Sequence, residues 1–116
     1  TREQQYLASL SWQASHDMLT GLYNRREFER RLLATLATAE QDACALMYLD
    51  LDQFKTVNDT CGHAAGDALL RQTSAILQQQ LDPQDLLARL GGDEFAVFLK
   101  RTTMAEGRAI FKKLFR

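Results

Sequence analysis

Two short apolar runs, "DLLARL" (Asp85 to Leu90) and "EFAVFL" (Glu94 to Leu99), are separated only by Gly91, Gly92 and Asp93. A glycine pair between two strand-like runs permits the positive backbone angles of a tight turn, so residues 85–99 predict a β-hairpin bent at Gly91-Gly92. In the second run Phe95, Val97 and Leu99 alternate and fall on one side of the sheet. Asp93 and Glu94 then sit side by side at the bend of an element that otherwise hides its side chains. Stability alone seldom asks for that.

The rest of the chain supplies what packs on this hairpin. "ACALMYLDLD" (Ala43 to Asp52) is short and nearly all apolar, which predicts a central strand buried on both faces. At its end Asp50 and Asp52, two residues apart, are expected on one side of the sheet. Between "TREQQYLASL" and that strand, Gly21 is expected to break a first helix, and Asn24 with Glu27 forms a capping box for a second. Phe28, Leu32, Leu36 and Ala39 give the second helix its buried stripe, ending near Glu40. Beyond a polar loop containing "NDTCGHAAGD", a third helix runs from about Gly66 to Leu81 with Leu69, Leu70, Thr73, Ile76 and Leu77 facing inward, and Asp82-Pro83 stops it. Thr103 with Glu106 opens another capped helix. The fold class is α/β: a sheet with an antiparallel hairpin and flanking helices, with one strand missing.

Length and composition narrow the function. At 116 residues the chain is at most one domain. Its net charge of −1 gives no basic surface for nucleic acid, and "NRREFERR" alternates its charges as a solvated helix face does. No apolar run reaches the roughly 20 residues of a membrane-spanning helix, so this segment is expected to be soluble and to make no membrane contact. Cys44 and Cys61 have neither metal spacing nor a disulfide framework, which favours a reducing cytoplasm, whether or not a parent protein is anchored to a membrane. The stripe Leu7, Leu10, Ala14 is too thin for a core and suits a lead-in helix (residues 1–15) that pairs with another chain or an upstream domain.

If the hairpin pairs beside the strand ending at Asp50, then Asp50, Asp93 and Glu94 converge at one sheet edge. Such repulsion is costly unless a hard divalent cation sits among them. Magnesium, with manganese as the alternative, suits oxygen-only ligands and borrows further oxygens from substrate phosphates, which points to phosphoryl or nucleotidyl transfer. Either acidic motif alone is an ordinary surface feature; the combination is not.

Three segments, "DMLTGLYNRREF" (Asp17 to Phe28), "DLDQFKTVNDTCGHAAGD" (Asp50 to Asp67) and "GGDEF" (Gly91 to Phe95), resemble in order and wording the GGDEF domains, the bacterial diguanylate cyclases. The resemblance implies a palm-like fold similar to nucleotide cyclases and polymerases, over residues 16–116. It implies that two GTP molecules condense into cyclic di-GMP in a homodimer, releasing pyrophosphate. Asp50, the Leu51 carbonyl and Glu94 match metal ligands, and Asp93 matches a residue that binds metal or accepts the proton of the attacking 3'-hydroxyl; Asp93 and Glu94 are thus the catalytic pair. Phe54 and Lys55 match a triphosphate-holding loop, Gly91 and Gly92 a close backbone approach to the nucleotide, and Asn58 and Asp67 the guanine contacts. His63 matches a position near the nucleotide and is read first as shaping its loop.

The resemblance also has gaps. An inhibitory Arg-x-x-Asp site of many family members reads "DPQD" here, so Asp85 is retained while Asp82 stands where the Arg would be, and no tight feedback binding is expected. The family's later strand and phosphate-binding Lys and Arg are not found before Arg116, so the segment alone is expected to be weak or inactive. The wording also looks like GGDEF domains preceded by a sensor and followed by an EAL phosphodiesterase. A GTP-binding regulatory domain controlling such a phosphodiesterase is therefore the alternative to a cyclase.

Overall fold

The computed structural model describes residues 1–38 and 44–100. Four helices and three strands follow in the order α1 (Arg2–Ser15), α2 (Arg25–Thr38), β1 (Ala45–Asp50), α3 (Phe54–Cys61), α4 (His63–Gln79), β2 (Leu86–Gly91) and β3 (Glu94–Leu99). The helix expected from Thr103 lies outside the described residues.

The strands form one antiparallel sheet in the order β1-β3-β2. The hairpin therefore pairs beside β1 as expected, but β3 is the central strand and β1 an edge of the described sheet. The alternation of β3 shows why. Phe95, Val97 and Leu99 pack with Leu70 and Leu77 of α4 on one face, while Ala96 and Phe98 pack with Phe28 of α2 on the other. All five are essentially inaccessible to solvent. β1 buries only one side: Ala45, Met47 and Leu49 join the α4 face, whereas Leu46 and Tyr48 are 43% and 67% exposed. Its unbroken apolar composition had predicted burial on both faces, a prediction that ignores whether a layer exists on each side.

Other expectations are corrected in the same way. The first helix ends at Ser15 with His16 as its C-cap, so Gly21 breaks nothing; it takes a positive φ of 74° inside the turn leading to α2. α1 has no buried residue. Asn24 does cap α2, its Oδ1 accepting from the Glu27 amide at 2.9 Å, but the return half of the box is absent because the Glu27 carboxylate is taken by Arg30 and Arg31. Of the predicted stripe on α2, Phe28 is buried and Leu32 partly so, while Leu36 is 48% exposed and Ala39 is outside the described residues.

The largest difference is in residues 54–79. The expected polar loop is helical: α3 and α4 are separated by Gly62 alone, whose φ of 92° turns the chain. Polar composition had suggested a loop, yet α3 needs only one partly buried face, with Phe54 against the sheet core. In α4, Leu70, Ser74 and Leu77 face inward, and the predicted inward Ile76 is 52% exposed. α4 ends at Gln79, three residues ahead of Asp82.

Candidate active site

β1 and β3 bring the acids together through their backbones. Asp50 and Glu94 are direct partners across the antiparallel pair, and the Leu51 amide donates to the Asp93 carbonyl at 3.2 Å. Opposite residues share a sheet face and have Cα atoms about 4.5–5.5 Å apart. Two like charges so placed repel each other, and the compensation nearby is slight: Arg25 at the start of α2 stands 3.9 Å from Glu94 in an exposed ion pair. Asp52 does not join them, because β1 ends at Asp50 and the strand periodicity ends with it. Among the described residues no three Asp, Glu, His or Cys side chains are grouped into a metal cage. The donors present, the carboxylates of Asp50 and Glu94 and the Leu51 carbonyl next in the chain, which accepts from the Phe54 amide at 3.4 Å, are nevertheless the hard oxygens that magnesium prefers, and that ion commonly completes its shell with water and phosphate oxygens.

The turn itself is shifted by one residue from the predicted bend. Gly91 closes β2 opposite Glu94 after a bulge following Arg89, and the two-residue loop is Gly92-Asp93. Both glycines have positive φ, 148° and 48°, so the bend excludes most side chains. Arg89 braces it from behind: its Nε donates to the Gly92 carbonyl and its Nη1 to Asp17 Oδ1, each at 3.0 Å. Asp17 Oδ2 in turn accepts from the amide and hydroxyl of Thr20.

The nucleotide-binding candidates lie on α3 and α4. Phe54 and Lys55 form the first turn of α3, where Phe54 packs on the core and Lys55 is exposed. Gln53, in the left-handed region, gives this turn no side-chain cap, and uncapped amides beside an ammonium are a common setting for phosphate. Asn58 sits in the middle of α3 with its Oδ1 buried and without a hydrogen-bond partner. Asp67 is in the second turn of α4, partly buried, and caps nothing. His63 is the first, exposed residue of α4 rather than part of a loop. Asp85 is already used by the backbone: one carboxylate oxygen accepts from the Asp82 amide and the other from the Lys100 amide.

Residues 14–115 match the family described as "Diguanylate cyclase, GGDEF domain". The chain belongs to that family. It is 45% identical over 98% of its length to the probable diguanylate cyclase DgcE of Escherichia coli, and 45% identical over 90% to the cyclic di-GMP phosphodiesterase PdeB of Shewanella oneidensis. It covers 10% and 12% of those two proteins. Among solved structures, the coiled coil and GGDEF domain of DgcB from Caulobacter crescentus, in complex with c-di-GMP, superposes with a TM-score of 0.89. That match covers 97% of this chain and 60% of DgcB's, at 31% identity.

In this GGDEF domain the sequence motifs single out the acids at the sheet edge and the candidates that lie on α3 and α4, but not Asp17 or Arg89. They are 72 residues apart and neither lies on a periodic pattern. The signal was a hydrophilic Arg inside "DLLARL", a run that otherwise reads as buried strand.

Proposed function

We propose that this GGDEF domain, within its whole protein, is a magnesium-dependent diguanylate cyclase. The observation that carries the reading is the Asp50–Glu94 pairing across β1 and β3, with Asp93 tied to Leu51 at the same edge. A divalent ion held by Asp50, Glu94 and the Leu51 carbonyl, magnesium or manganese, would neutralise phosphate charge and lower the pKa of a 3'-hydroxyl. Lys55 and the first turn of α3 bind the triphosphate, Asn58 and Asp67 hold the guanine, and the side-chain-free Gly91 and Gly92 let it lie close. Asp93 accepts the proton as the 3'-oxygen of one GTP bonds to the α-phosphorus of the other and pyrophosphate leaves. Two such bonds close the cyclic dinucleotide, so two chains, each holding one GTP, must face one another.

Acids set directly opposite one another at residues 50 and 94, offset only by the exposed Arg25 3.9 Å from Glu94, favour catalysis over a purely structural edge, since a fold gains nothing from that repulsion. The whole-protein reading also places residues 1–15 as the lead-in from an upstream sensor, residues 16–116 as part of the cyclase domain, and the domain in the cytoplasm. No described helix is long and apolar enough to cross a membrane. Asp85, bound to two backbone amides and lacking its Arg partner, supports weak product inhibition.

The likeness to PdeB favours one second reading, a GTP-binding regulator of an attached EAL phosphodiesterase. One experiment separates the two: incubate the full-length protein with GTP and magnesium and look for cyclic di-GMP by chromatography. A cyclase gives product that Asp93→Ala abolishes while GTP binding persists. Binding without product, together with GTP-stimulated phosphodiesterase activity, overturns the cyclase reading.

A further inference from the structure

A glycine inside a helix is unfavourable because its backbone loses the most freedom on ordering and it packs no side chain. Gly66 is nevertheless the fourth residue of α4, is buried, and has ordinary helical geometry that any residue could adopt. What excludes a side chain there is Asn58. A Cβ built on Gly66 would overlap the Asn58 carboxamide, falling 2.8 Å from its Cγ and closer still to Oδ1. That Oδ1 is the single buried side-chain nitrogen or oxygen among the described residues with no hydrogen-bond partner.

Two costs thus meet at one contact: a helical glycine and an unsatisfied buried acceptor, each of which natural sequences ordinarily remove. A carboxamide that must be held in one place for a ligand would explain both. The next residue, Asp67, is partly buried and its carboxylate has no hydrogen-bond partner among the described residues, so an acceptor stands one position along the helix. Guanine offers adjacent N–H donors at N1 and the exocyclic amine; adenine has no donor at N1.

We infer that Gly66 is a specificity-determining positioning residue. It leaves open the space in which the Asn58 carboxamide lies, with Oδ1 buried against α4, and so holds that carboxamide where the side chain can meet the base. This rests on the reading of Asn58 and Asp67 as the guanine-holding pair. A methyl group at position 66 pushes the carboxamide aside and costs guanine its partner, while the triphosphate contacts on α3 remain. Rejection of adenine weakens accordingly, because discrimination of this kind comes from buried groups that the wrong base leaves unmet.

The test is a double-variant cycle in the full-length protein, titrated by calorimetry with α,β-methylene-GTP and α,β-methylene-ATP, and paired with thermal unfolding. Gly66→Ala is expected to weaken the guanine analogue at least tenfold and leave the adenine analogue unchanged. Asn58→Ala should do the same, and Asn58→Ala/Gly66→Ala should bind no more weakly than Asn58→Ala and unfold at a higher temperature than Gly66→Ala. If Gly66→Ala is too unstable to titrate, the double variant decides: folding and binding like Asn58→Ala supports the inference, and failure to fold overturns it. Wild-type affinity in Gly66→Ala, or losses that add in the double variant, also overturn it. Unchanged affinity in Asn58→Ala instead sinks the base-holding reading beneath it.

Discussion

Two acidic sites near the helix α2 side of the sheet have the same chemistry and opposite surroundings. Glu27, in the first turn of α2, is buried and chelated: Arg30 reaches both of its carboxylate oxygens at 2.7–2.8 Å and Arg31 one of them at 2.7 Å. Those guanidiniums hold its pKa down at about 2 against the desolvation that burial imposes. Asp50 and Glu94 sit exposed on neighbouring strands, directly opposite, with one guanidinium 3.9 Å from Glu94. A carboxylate that serves the fold is satisfied from within the chain. The pair at the strand edge is left open, as acids must be if their partner is to arrive with the substrate.

The largest effect should come from that edge. In the full-length protein Glu94→Gln keeps the shape and hydrogen-bonding reach of the side chain and removes its charge. Cyclic di-GMP formation is expected to fall by at least about 100-fold, the usual scale for losing a transition-state electrostatic contact, with the KM for GTP little changed. Steady-state kinetics across a magnesium titration measure both. A variant that keeps its kcat and loses KM instead would place Glu94 in substrate binding and erase the contrast with Glu27.

This contrast also explains what could be read in advance. The hairpin and its pairing beside the strand ending at Asp50 follow from period-2 alternation and a glycine turn, so the meeting of Asp50 with Glu94 was legible before any coordinates. The helical nature of residues 54–61 was not, because α3 is held by a few contacts such as Phe54 on the core and its sequence is polar. Nor was the edge position of β1: Leu46 and Tyr48 are apolar letters whether or not something covers them. The Arg89 brace depends on a partner 72 residues away, a distance that local patterns do not span.

That brace allows a second, somewhat smaller test. Arg89 and Asp17 are 15% and 19% exposed, closer in burial to Glu27 than to the open edge. Arg89→Ala strands the Asp17 carboxylate and releases the Gly92 carbonyl, and it is expected to cost about 2–3 kcal/mol in urea unfolding, somewhat under the cost of breaking a fully buried pair. Removing both charges in Asp17→Ala/Arg89→Ala should recover part of this loss. If Arg89→Ala is neutral, the turn that carries Gly92 and Asp93 is set by its glycines alone.

The smallest effect tests the other half of the comparison, through pH. Because the folded-state pKa of Glu27 is depressed from 4.5 to about 2, its contribution to stability is fully present above pH 4.5 and is lost as the pH falls toward 2. Glu27→Gln cannot titrate and makes weaker, uncharged contacts with Arg30 and Arg31. At pH 7 the variant should melt a few degrees below the wild-type protein, and that gap should narrow steadily below pH 4.5 as the wild-type carboxylate is protonated. Arg30 and Arg31 are both well exposed, which keeps the gap modest. A gap that stays constant down to pH 2 would mean that the Glu27 carboxylate gains nothing from its two guanidiniums. The satisfied acid would then be no better placed than the pair left open at the strand edge.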